Sequence, residues 1–107
     1  MSDENQSVIP RSFVDLFVPA GAIKPRESRA VIAARYELCE DMAQLLVERS
    51  QAVHHDQGIE ENEILSRTEA GLANAESGFN PAEALWVVIR LAELLGWRHD
   101  GLPLADS

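Results

Sequence analysis

This chain of 107 residues contains one lysine, Lys24, and one cysteine, Cys39. A single cysteine excludes an intrachain disulfide and a four-cysteine zinc site, and it fits a reducing compartment. Cations are scarce throughout: 9 Lys and Arg stand against 18 Asp and Glu, a formal net charge of −9. No segment of the chain is basic. Nucleic acid is therefore not an expected partner, because phosphate neutralisation by Lys and Arg supplies most nonspecific affinity. An anionic membrane surface is disfavoured on the same ground. Long apolar runs are also missing. The longest extends from Ala84 to Ile89, far short of the roughly 20 residues that span a bilayer. The first residues, Met1-Ser2-Asp3-Glu4, are acidic and polar, the reverse of a signal-peptide n-region. The expected location is cytoplasmic.

Strand signals are absent as well. There is no alternating apolar run, no Asn-Gly hairpin, no internal repeat and no low-complexity block. What remains is helical periodicity, and the expected fold is all-α. One domain over 1–107 is the natural size, with 1–8 a loose leader and 98–107 a frayed tail. A short helix or arm is predicted over 10–18, opened by Pro10 and stopped by Pro19. Phe13, Leu16 and Phe17 give it one apolar face. A long helix is predicted over about 26–56, ending at Gly58. Its apolar residues, including Val31, Ile32, Leu38, Cys39, Met42, Leu45, Leu46 and Val53, fall within a broad arc. Glu37, Glu40, Asp41, Gln44, Glu48 and Gln51 take the opposite face.

A third helix is predicted over 60–76, with Glu60, Glu61 and Glu63 in its first turn, where the helix dipole favours acids. Gly71 in its middle costs about 1 kcal/mol against alanine and would permit a close helix crossing. Ser77-Gly78-Phe79 reads as its end. The fourth helix is defined most sharply. Asn80 is the N-cap, Pro81 the first helical residue, and Glu83 completes a capping box. Gly96 followed by Trp97 closes it. Between Ala82 and Leu95, 11 of 14 residues are apolar, so this helix belongs at a bundle centre. The expected architecture is a small helical bundle: one long helix, two shorter ones antiparallel along it, and an N-terminal arm over the assembly.

Few residues carry chemistry. Trp86 projects into the only polar wedge of the fourth helix, between Arg90 and Glu93. Either the Phe13/Phe17 segment covers it, or its ring lies flat on a neighbouring helix, or Trp86, Arg90, Glu93, Phe13 and Phe17 form an interaction surface, since interface hot spots are enriched in Trp and Arg. Arg35 and Arg49 lie near the apolar side of the long helix. A buried guanidinium there needs a carboxylate partner, so the expectation is a buried ion pair or a stem packed on the core with its head in water, with an anion site as the sharper alternative. The three histidines sit in His54-His55-Asp56 and His99-Asp100. His-Asp pairs are metal ligands in larger helical phosphohydrolases, but the further ligands such enzymes need are missing here, so no metal is expected. Cys39 projects into the apolar arc as a small hydrophobe. Neither Gly-x-x-x-x-Gly-Lys-Ser/Thr nor Gly-x-Gly-x-x-Gly occurs, and no cofactor is expected.

Four stretches carry a resemblance: Ile9-Pro10 with Ser12-Phe13, Asp15-Leu16-Phe17-Val18, Arg35-Tyr36-Glu37-Leu38-Cys39-Glu40-Asp41, and Arg90-Leu91-Ala92-Glu93-Leu94-Leu95-Gly96-Trp97. In these the chain resembles a family of small β-proteobacterial helical proteins of unknown function, often named "ATPase with chaperone activity". The resemblance covers most of the chain and implies an accessory factor of a chaperone or ATPase system. It brings no catalytic residue with it. Taken together, the expectation is a noncatalytic helical interaction or adaptor module with an unidentified protein partner, open to homo-oligomerisation. A metal-dependent hydrolase built on the His-Asp pairs is the weakest alternative.

Overall fold

The computed structural model describes residues 9–99; the side chain of Ala75 is not described. The predicted leader 1–8 and positions 100–107 of the predicted tail lie outside the described residues. The all-α expectation is borne out, and among the described residues there is no strand. None of the described helices is long and apolar enough to cross a membrane. By packing, the chain divides into two units, Met1–Leu38 and Cys39–Ser107.

In the first unit, α1 spans Arg11–Val14 and continues as a three-ten turn over Asp15–Phe17. Pro10 fixes the entry, and its carbonyl accepts the Phe13 and Val14 amides at 2.9 and 3.1 Å. A helix this short is held by tertiary contact rather than by its own hydrogen bonds. Phe13 supplies that contact. It is fully buried, 5.5 Å from the Phe17 ring and edge-on to Tyr36 at 5.6 Å. The chain then turns through Pro19, whose carbonyl accepts the Ala22 amide, and the Arg26 amide returns to the Phe17 carbonyl at 2.7 Å.

α2 spans Arg29–Gln57. It starts three residues later than predicted because Ser28 is its cap: the hydroxyl accepts the Val31 amide at 3.2 Å. It stops at Gly58, in the left-handed region at φ 68°. Within the predicted apolar arc Ile32, Cys39 and Ala43 are buried, whereas Val31, Leu38 and Leu45 are exposed; Ser50, which is not one of its apolar residues, is buried too. Apolar residues run too far around this helix for all of them to meet a neighbour.

The second unit continues with α3, Glu61–Leu72, and α4, Pro81–Leu95. α3 is shorter than the predicted 60–76. Asn74 ends the α-helical run by accepting the Glu76 amide at 2.8 Å, which caps a separate three-ten turn over Ala75–Ser77. Gly78 then reverses the chain at φ 91°. Gly71 is not at a close crossing as expected: a Cβ built on it would meet nothing within 4 Å. α4 matches its predicted limits. The Asn80 side chain accepts the Glu83 amide at 2.8 Å and the Glu83 carboxylate accepts the Asn80 amide at 3.1 Å. At the other end the Trp97 amide reaches the Ala92 carbonyl at 2.9 Å, a Schellman closure. Ala84, Val87, Val88, Leu91 and Ala92 are fully buried, one stripe at helical spacing.

Candidate functional site

The interaction residues expected on α4 are largely engaged inside the protein. Arg90 projects from the polar wedge onto α2. Its Nε donates to both Glu40 carboxylate oxygens at 2.9 and 3.2 Å, and its Nη2 donates to Oε2 at 3.2 Å. Nη1 adds a longer bond of 3.4 Å to Glu93. Gln44, one turn after Glu40, donates to the same carboxylate at 2.9 Å. Burial pushes the Glu40 carboxyl up, but hydrogen bonds from Arg90 and Gln44 and the guanidinium charge outweigh it, so its pKa lies below the ordinary value. The same bond to Glu40, working against burial, raises that of Arg90. Glu40 was expected on the solvent face of its helix. It is instead half-buried, because the polar wedge of α4 meets it there.

Of the remaining expected surface residues, Glu93 is exposed, while Trp86 and Phe17 are half-buried. Phe13 is fully buried and offers nothing to a partner. The two arginines of the long helix differ from one another. Arg35 is half-buried in the first unit. Arg49 is exposed in the second, which sets aside a buried ion pair there and leaves the alternative of a stem resting on apolar surface with its head in water.

His54 has a structural task. Its Nδ1 lies 2.7 Å from the Ile59 carbonyl. A carbonyl only accepts, so Nδ1 carries the proton and Nε2 faces Glu61 Oε2 at 3.9 Å. The ring also meets Trp97 edge-on at 5.3 Å. One imidazole thus ties the end of α2 to the following loop, the start of α3 and the segment after α4. His55 is exposed, with its ring centre 5.8 Å from that of His54. His99 has its Nδ1 buried with no hydrogen-bond partner among the described residues, and Asp100 lies outside them. Among the described residues no group of three or more His, Cys, Asp or Glu is placed to hold a metal ion. Cys39 is buried, and as the single cysteine it forms no intrachain disulfide.

The feature that sequence reasoning missed is a groove of about 420 Å³ in the second unit, between α2 and α3. Its walls include Leu46 and Val53 from α2 and Ile64 and Leu72 from α3, with Ile59 at one end. Arg49 and Arg67 also line it. Arg67 is held by Glu63 at 2.7 Å. The missed signal is Gly71: a glycine on the lining face of α3 leaves the groove unfilled. No family model matches the chain, and no curated protein or solved structure matches it.

Proposed function

We propose that the chain is a noncatalytic helical protein–protein interaction module, and that a second copy of itself is its first partner. The observation that carries this reading is the large apolar side chains left in water on α2. Val31 and Leu38 in the first unit are 42% and 51% exposed, and Leu45 in the second is 72% exposed. Val31 and Leu38 stand seven residues apart within the first unit, the spacing at which paired helices place their knobs, and Leu45 is a separate exposed anchor in the second. Leaving such groups exposed has no benefit to the fold of a monomer, whereas covering the part of each still in water stabilises by roughly 0.5–2 kcal/mol. The accessory role in a chaperone or ATPase system that the sequence resemblance implies would be one use of such a surface.

Light scattering over a concentration series tests the proposal. The wild-type chain is expected to approach dimer mass at high concentration. Leu38→Ser and Leu45→Ser should each return it to monomer while the circular dichroism spectrum and the melting temperature stay close to wild type, since exposed positions shift stability by about 0.5 kcal/mol or less. A wild-type chain that is monomeric throughout the series would overturn self-pairing.

A further inference from the structure

We infer that the α2/α3 groove is a second interface, which receives an amphipathic helix of another protein whose apolar face is bordered by carboxylates. The inference rests on the interaction-module reading and concerns the second unit alone.

Three observations meet at this groove. The first is shape. At about 420 Å³ it falls within the roughly 300–1,000 Å³ of pockets that hold ligands. Leu46, Val53, Ile59, Ile64 and Leu72 give it apolar walls. Its α3 side is open at Gly71, where a Cβ would meet nothing within 4 Å. The second is extent. The α2 wall of the groove runs from Leu46 through Val53 to Gln57, roughly 16 Å at 1.5 Å per residue. A groove drawn out along a helix fits an elongated occupant better than a compact small molecule. Two helices joined across Gly58, Ile59 and Glu60 offer the cleft into which a third helix packs, anchored by side chains at i, i+3, i+4 and i+7.

The third observation is charge. Arg49 lies one turn after Leu45, so it neighbours Leu45 on the helix surface while also lining the groove. Arg67 in the same lining is matched by Glu63, and Arg90 on α4 is matched by Glu40. Arg49 is exposed and makes no ion pair among the described residues. In a chain with 18 acidic and 9 basic residues, an arginine left unmatched at the edge of an apolar wall is the complement of a partner's carboxylate. Arg also suits the task because its planar fork takes a carboxylate in two-point contact.

The test uses the full isotope-labelled chain and two synthetic amphipathic peptides. Both carry Leu at i, i+3, i+4 and i+7; one has Glu beside the apolar face, and its twin has Gln at the same positions. The expected result is chemical-shift change centred on Leu46, Val53, Ile59 and Leu72. The Glu peptide should bind about threefold to fivefold tighter than its twin, the range an exposed ion pair supplies. Arg49→Gln should abolish that preference and leave the Gln peptide's affinity unchanged. Gly71→Leu should weaken both peptides by about tenfold or more, the scale of losing a central anchor pocket. The space at Gly71 is open and its backbone helical, so Gly71→Leu should fold with a melting temperature at or above wild type. Equal affinity of the two peptides, shifts away from the groove, absence of binding, or binding indifferent to Gly71→Leu would each overturn the inference. So would a dimer that Gly71→Leu abolishes, which would seat a second copy in the groove. The titration and the light-scattering series have separate readouts: a strictly monomeric chain would remove self-pairing and leave the titration interpretable, and absence of peptide binding would leave self-pairing standing.

Discussion

At Glu40, burial and hydrogen bonding act in opposite directions on one carboxyl, and hydrogen bonding prevails. The consequence for stability has a definite sign. A carboxyl whose folded pKa lies below its unfolded value contributes stability that is present above the unfolded pKa and lost as pH falls through the folded one. The loss should therefore begin near 4.5, the ordinary value, and continue below it. Urea unfolding of wild type and Glu40→Gln is expected to differ by about 1–2 kcal/mol at neutral pH, the roughly 1.5–3 kcal/mol of hydrogen bonds to a charged group reduced by the pair's partial solvent exposure. The gap should close as both proteins are taken to strongly acid pH. A constant difference across that range would mean that the Glu40–Arg90 charge pair is not its source. The sequence exposed half of this pair: Arg90 and Glu93 stand out in an otherwise apolar helix. Glu40 could not be read as the partner of Arg90, because it lies 50 residues away and is one acid among several on its own helix.

Single elements were legible where their signals are local. Asn80, Pro81 and Glu83 lie within one turn of each other, so α4 begins where the pattern says it should. Asn80→Ala removes the side-chain acceptor for the Glu83 amide. It is expected to cost about 1 kcal/mol, measured by chemical denaturation. A neutral result would show that tertiary packing alone positions the end of this helix. The end of α3 was read less well. Leu72 through Ser77 contain no glycine or proline to mark a stop, and it is a side-chain bond from Asn74 that starts a new turn. Asn is compatible with a helix interior and also favoured at caps, so its choice depends on what the following segment does.

The whole molecule decides which apolar residues are core. Leu65 and Leu45 are the same residue type on neighbouring helices, yet Leu65 is 0% exposed and Leu45 is 72%. Leu65→Ala should therefore cost about 2–5 kcal/mol, the transfer energy plus the cavity left behind. Leu45→Ala should cost about 0.5 kcal/mol or less in the monomer. Thermal or urea unfolding in dilute solution checks the contrast, and similar losses at the two positions would refute the assignment of Leu45 to the surface. The candidate groove belongs to this scale too. Leu46, Arg49 and Val53 were visible as one side of α2, and Gly71 and Leu72 as one side of α3. That the two sides face each other and leave a space between them depends on packing.

The sequence by itself determined that the protein is all-α, that its best-capped helix runs from Pro81 to Leu95, and that it carries 18 acidic residues against 9 basic ones. These properties follow from local chemistry: dihedral preference, capping within one turn, and charges that can be counted. Only the tertiary structure decided that Glu40 leaves the solvent face to hold Arg90, that Leu45 stays in water, and that Arg49, beside an apolar groove, makes no ion pair among the described residues. The apolar arc of α2 is wider than its neighbours can cover. Which part of it is buried is settled by where the other helices lie, a non-local fact that helical periodicity does not encode.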